Sequence, residues 1–251
     1  MTQYDARKIG AVILAAGKGT RMKSDLAKVL HPLCGKPMLT YSVDVAREIG
    51  AEKIAVVIGH QADLVKELFK DQGLMFVEQR EQLGTGHAVL QAKDTFCNYH
   101  GTILILCGDV PLLRPSTVKA LLEYHISERA ELTVLTTILD DPTGYGRIIK
   151  GRERREVLRI IEEKDASPYE KRISEINTGI YCVGSDFLFK AVGETGNQNA
   201  QREYYLTDIV GIAWHKGFKT RSFIAGNSVE VMGINTSSDL AKASEHMMTC
   251  K

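Results

Sequence analysis

The stretch IGAVILAAGKGTRM, residues 9–22, decides the fold. Residues 9–14 form an unbroken apolar run of strand length, the pattern of a strand buried on both faces of a parallel sheet. Small residues and cations follow it without a spacer. In an open α/β sheet, ligands bind beyond the carboxyl ends of the strands, where this loop would lie. Glycines permit the turn and let backbone N–H groups approach a phosphate or a base, while Lys18 and Arg21 add charge and donors. Two familiar phosphate loops are excluded by counting. A Walker A loop ending at Gly17-Lys18 needs glycine where Val12 stands, and a dinucleotide fingerprint from Gly17 needs glycine or alanine where Met22 stands.

Outward from this loop, apolar runs at 54–58, 75–77, 103–107 and 132–138 alternate with helical patterns at 38–49, 62–69, 87–93 and 116–127. Pro37 suits the start of the first helix and Gly50 its end. The alternation predicts right-handed βαβ units in a doubly wound α/β sheet. After about residue 140 the rhythm changes. A turn cluster at 141–146 leads into a hairpin of 147–150 and 157–161 around a charged tip at 151–156. A strand at 176–183, a helix at 206–215, a strand at 219–224 and a helix at 238–248 follow. With no linker and no repeat, one domain is expected over 1–251: a nucleotide-binding lobe at about 9–138, a smaller β-rich lobe at about 139–235 and a terminal helix at 236–251.

The bulk numbers agree with an ordinary globular chain. It has 251 residues, 44% hydrophobic and 25% charged, enough to bury a sizeable core. A net charge of +1 gives no overall field for nucleic acid or an anionic membrane, so phosphate recognition must be local. Five cysteines (34, 97, 107, 182 and 250), none in a C-x-x-C pair, speak against a disulfide scaffold or a thiolate zinc site. With a polar start and no membrane-length apolar run, a cytoplasmic protein is expected.

Further segments carry a resemblance. LAAGKGTRM (14–22) resembles the signature of sugar-nucleotide pyrophosphorylases, a family of Rossmann-like, glycosyltransferase-A-like fold. SDLAKVLH (24–31), EQLGTGHA (81–88), CGDVPL (107–112), DDPTGYGRI (140–148), EEKDA (162–166), EINTGI (175–180) and EYYLTDI (203–209) are similar, in the same order, to its N-acetylglucosamine-1-phosphate uridyltransferase branch. The resemblance spans about residues 9–240. It implies a Mg²⁺-dependent reaction of UTP with N-acetylglucosamine 1-phosphate, giving UDP-N-acetylglucosamine and pyrophosphate for peptidoglycan and lipopolysaccharide synthesis.

Carried over position by position, the resemblance implies that Leu14, Ala15, Ala16 and Gly17 contact uridine, with Arg21 and Lys28 as the catalytic cations on the triphosphate. Gln79 would read the uracil edge, helped by Gly84 and Thr85. Cys107 and Gly108 would lead into Asp109, which with Asn235 would hold Mg²⁺. Gly146, Glu162 and Asn177 would hold the sugar. These residue types suit the chemistry. A carboxylate at a strand end favours a hard, oxygen-seeking cation, and a glutamine amide pairs with a donor and an acceptor. A phosphate monoester whose second pKa is about 6 needs no general base at neutral pH.

The chain departs from the family pattern in two places. Ala27 stands where proline is common before the lysine, which implies a looser loop around Lys28. Cys107 stands where an aromatic residue is frequent. No hexapeptide β-helix is expected after residue 240, and therefore neither acetyl transfer nor a trimer built through such a domain. Plainer readings stand beside these. Asn235 also reads as a cap for the last helix, His87 as a structural residue, and the arginines of 147–159 as a solvated hairpin rather than a nucleic-acid surface. Leu240, Ala243 and Met247 read as core. Rival functions are a glucose-1-phosphate transferase using UTP or TTP, and a non-catalytic nucleotide-sugar sensor.

Overall fold

The structure, a computed structural model, describes residues 4–153 and 155–249. Arg154 at the hairpin tip and Cys250 lie outside the described residues. Among the described residues, eleven strands and seven α-helices follow in order. They are β1 (Asp5–Ala15), β2 (Pro32–Leu33), β3 (Lys36–Pro37), α1 (Met38–Glu48), β4 (Lys53–Ile58), α2 (Ala62–Phe69), β5 (Met75–Glu78), α3 (Thr85–Gln91), β6 (Gly101–Cys107), α4 (Pro115–Glu128) and β7 (Leu132–Ile138). Then come β8 (Arg147–Lys150), β9 (Val157–Ile161), β10 (Glu175–Gly184), α5 (Ser185–Ala191), α6 (Asp208–His215), β11 (Thr220–Ile224) and α7 (Ser237–Thr249).

Nine strands make one sheet whose main path runs β11-β7-β10-β6-β1-β4-β5. β1 pairs parallel with β4 and β6, and β4 with β5. The sheet is mostly parallel, as expected; β10, of the later, β-rich part of the chain, inserts antiparallel between β6 and β7. Its residues Tyr181, Cys182 and Val183 are all buried, so its apolar run cannot be told from that of a parallel strand; direction is set by connectivity alone. The hairpin β8–β9 branches from β10 through the pairing of Arg147 with Ile176.

Apolar residues of alternate strand positions feed a cluster on each face of the sheet. Ala11, Ile13, Leu104 and Leu106 pack with α1, α2 and α4 on one side; Val12, Ile103, Ile105 and Tyr181 pack with α3, α5 and α6 on the other. α7 buries Ala243, with Leu240 and Met247 against it, on Leu33, Met38 and Ile234. Two elements lay unmarked in the sequence reading: the β2–β3 hairpin, turned by Cys34 and Gly35 at positive φ, and the short helix α5. Arg147 departs from the expected solvated hairpin. It is 1% exposed, donates to Glu163 Oε2 at 2.7 Å and also bonds the Tyr145 carbonyl. A guanidinium this deep is held by acceptors on several sides.

His125 of α4 is buried, with Nδ1 2.9 Å from Thr133 Oγ1 and no partner on Nε2. Burial pushes its pKa down to about 4. The unfolded histidine, near 6.5, binds protons that the folded one refuses, so stability is full above pH 6.5 and falls as pH drops toward 4. Between pH 7 and 5 this residue is expected to cost about 2 kcal/mol. Urea unfolding of the parent and of His125→Gln should show that difference; parallel losses in the two proteins would contradict it.

Candidate active site

The carboxyl ends of β1 and β6 are tied together where Gly108 N donates to Leu14 O at 2.9 Å. That bond sets Asp109 beside the glycine-rich loop. A cavity of about 230 Å³ opens there, lined by Leu14, Gly17, Arg21, Lys28, Asp109 and Asn235 among others. Gly19 holds φ +65°, and a Cβ on it would meet Lys28 Cβ at 2.5 Å, so only glycine lets the loop fold this closely over the lysine.

Four of the sequence-derived residues converge on one point. Lys28 Nζ bonds Asp109 Oδ2 and lies 2.7 Å from Asn235 Oδ1, which also accepts from Arg21 Nη2 at 2.8 Å. Asn235 is placed by the bond from Ile234 N to Asp109 O, 2.8 Å. The alternative of Asn235 as the α7 cap is corrected by the geometry. Thr236 and Asp239 form the cap: Asp239 N donates to Thr236 Oγ1 at 3.2 Å, and Thr236 N to Asp239 Oδ2 at 2.8 Å. The Asn235 side chain is left to the cavity.

The donor set at this point is one carboxylate oxygen and one amide oxygen, both within reach of a single ammonium nitrogen. Oxygen-only donors converging on one cation fit a hard divalent ion that takes its remaining ligands from water and phosphate. Among the described residues no group of three or more His, Cys, Asp or Glu side chains could hold a metal. Such an ion would have to displace Lys28 Nζ from the same two oxygens. Cys107 lies just behind, its Sγ 3.5 Å from Gly179 O, and burial pushes its thiol pKa up.

A second group borders the loop on the side of β4 and β5. Gln79 is 4% exposed, and its Nε2 donates to Gly84 O at 2.9 Å and meets His87 Nδ1 at 3.1 Å. Nε2 is thus turned toward protein groups, with one of its hydrogens held by Gly84 O. His87, read from sequence as structural, supports this orientation. Gln82, quoted within the 81–88 segment but given no role there, donates to Ala16 O at 2.7 Å and steadies the loop. Thr85 Oγ1 accepts from Leu206 N at 3.0 Å, so its hydroxyl clamps the 83–86 turn to residues 204–206.

Gly84 sits at φ +112°, with the backbone O of Tyr204 only 2.6 Å from where a Cβ would stand. Gly84→Ala combines a forbidden φ with a backbone clash. It should lower the melting midpoint by about 5–10 °C, the equivalent of about 2–3 kcal/mol. Calorimetry showing an unchanged midpoint would refute this.

Gly146, Glu162 and Asn177 also come together. Asn177 N donates to Gly146 O at 2.9 Å, and a Cβ on Gly146 would lie 3.5 Å from Glu162 Oε2. Glu162 accepts from Thr207 Oγ1 at 3.0 Å; burial raises its carboxyl pKa, opposed by that bond. Thr207 was missed in the sequence, though it belongs to the quoted 203–209 segment. A wide cavity of about 780 Å³ adjoins Glu162 and is lined also by Asp165, Tyr205, Thr207 and Trp214. No described helix is long and apolar enough to cross a membrane.

Residues 11–171 match the family model described as a MobA-like NTP transferase domain. The chain is 52% identical over 237 residues to the "Bifunctional protein GlmU" of Geotalea daltonii, covering 94% of this chain and 52% of that protein. It is 48% identical over 237 residues to the protein of the same name from Clostridioides difficile, covering 94% and 51%. The chain thus spans about half the length of the curated relatives it matches. In fold it resembles a crystal structure of UDP-glucose pyrophosphorylase complexed with UDP-glucose, with a TM-score of 0.77, 20% identity, and coverage of 97% of this chain and 99% of that one. The match over most of the chain makes it a member of the MobA-like NTP transferase domain family, and so a nucleotidyltransferase.

Proposed function

We propose that the chain transfers UMP from UTP to N-acetylglucosamine 1-phosphate, releasing pyrophosphate. The observation that carries the reading is the convergence of Arg21, Lys28, Asp109 and Asn235 on one point beside the glycine-rich loop. The names of the curated relatives, about half of whose length the chain spans, support the same chemistry.

In this reading Leu14–Gly17 and Gln79, with Gly84 and Thr85 shaping the turn, receive the uridine. Gln79 presents Oε1 to the uracil N3–H, a donor that cytosine lacks, and a site built to pair with that proton discriminates by leaving itself unpaired otherwise. Glu162, with Asn177 and the backbone of Gly146, receives sugar hydroxyls and the acetamide. Asp109 and Asn235 are the residues that would hold Mg²⁺, which when bound neutralises phosphate charge as a Lewis acid. Lys28, drawn off its two oxygens, and Arg21 are the protein's own cations for the triphosphate. An oxygen of the sugar phosphate attacks the α-phosphorus, one P–O bond forms, the bond to the bridging oxygen breaks, and pyrophosphate leaves with the electron pair. The nucleophile is already an anion, so the residues align and neutralise rather than remove a proton.

The test is mass detection of UDP-N-acetylglucosamine formed from UTP and N-acetylglucosamine 1-phosphate with Mg²⁺, repeated with excess EDTA. Product that depends on the divalent ion is the expected result. Product at the same rate in EDTA would remove the metal from the reading.

A further inference from the structure

The segment that carries Lys28 is held by a residue outside every motif quoted above. Ala27 is 1% exposed, and its buried N–H donates to Gln61 Oε1 at 2.7 Å, across 34 residues of sequence. Gln61 stands immediately before α2, at the position where a side chain usually caps the helix, yet it makes no such bond. Its backbone is in the left-handed region at φ 53°, a conformation with a cost for a non-glycine residue. Both features aim its carboxamide at the Lys28 segment. The expected loosening at Ala27 is thereby answered: the N–H that alanine has and proline lacks becomes an anchor. Ala27 itself has φ −53° and ψ 134°, within the range that proline imposes.

We infer that Gln61 is a positioning residue for Lys28, fixing residues 24–30 so that Nζ reaches the cavity with Asp109 and Asn235, the task that a proline at position 27 would perform through its ring. The inference rests on the assignment of Lys28 to the triphosphate in the proposed reaction.

Four proteins test it: the parent, Gln61→Met, Ala27→Pro and the double variant. Methionine keeps the length of the side chain and removes the acceptor. Steady-state kinetics would be run with UTP and N-acetylglucosamine 1-phosphate, beside amide hydrogen exchange of residues 24–30 read by mass spectrometry. In the parent background Gln61→Met should lower kcat/KM for UTP about tenfold, the scale of one lost buried hydrogen bond. KM for the sugar phosphate should stay put, and exchange of the segment should accelerate. In Ala27→Pro the ring takes the place of the N–H and displaces the Gln61 carboxamide; the variant should stay within about twofold of the parent, since its fixed φ replaces the anchor. In that background Gln61→Met should change neither readout by more than about twofold. Equal losses in both backgrounds would place Gln61's role elsewhere and overturn the inference, as would no loss and no faster exchange in the parent. A parent that transfers no nucleotide would defeat the proposed reaction, while the exchange comparison still decides whether Gln61 holds the segment.

Discussion

Replacing Lys28 with methionine should lower kcat/KM for UTP by about 10²–10³-fold, the size of a lost charge-stabilising donor. Lys28 is 9% exposed and reaches both Asp109 and Asn235, so it is not a surface charge whose removal water can compensate. Lys28→Arg should not restore the rate, because a planar fork cannot occupy a pocket shaped around a single nitrogen. The same change has a second, opposite signature. With no nucleotide present, Lys28→Met should bind Mn²⁺ more tightly than the parent, since the tethered competitor for the two oxygens is gone. Isothermal titration reads that directly. Turnover within threefold of the parent, from a folded variant, would remove Lys28 from the triphosphate.

Asp109→Asn carries the other large effect. The substitution keeps shape and one oxygen but removes the one carboxylate that bonds Lys28 among the described residues. A hard cation loses its charged ligand, and turnover should fall about 10³-fold, or about 4 kcal/mol of barrier. Mn²⁺ binding in the presence of UTP should weaken in parallel. Unaltered Mn²⁺ affinity with lost turnover would assign Asp109 a role in holding Lys28 and no role at the metal.

How much of this was legible in the sequence follows from distance along the chain. The loop at 14–22 and the strand ends before it carry their chemistry within one local segment, and the structure puts Arg21 and Lys28 in one cavity. The sequence leaves the α7 cap open, with Asn235 as a candidate; the bonds between Thr236 and Asp239, in the spacing of a capping box, decide it and leave Asn235 over. What could not be read was set by tertiary pairing. β10 has the apolar run of any buried strand, and nothing in it announces that it runs antiparallel. Arg147 looks like its exposed neighbours until Glu163 and the Tyr145 carbonyl close around it. Gln61 and Ala27 meet only because the β4–α2 turn passes over the segment before Lys28.

Gln79 shows an intermediate case. The resemblance implied that it reads the uracil edge with the donor and the acceptor of its amide, whereas in the structure Nε2 faces Gly84 O and His87. A glutamine with both groups available would serve several bases, whereas one that offers only oxygen favours a ring N–H.

Pyrophosphate release with Mg²⁺, measured across a panel that pairs UTP, TTP, CTP, ATP and GTP with N-acetylglucosamine 1-phosphate, glucose 1-phosphate and glucosamine 1-phosphate, decides both the activity and the substrates. Release confined to UTP with the N-acetylated sugar is the predicted result. Release with a different pair would keep the mechanism and contradict the substrate assignment. No release with any pair, from folded protein, would contradict the account and leave a nucleotide-sugar sensor in its place.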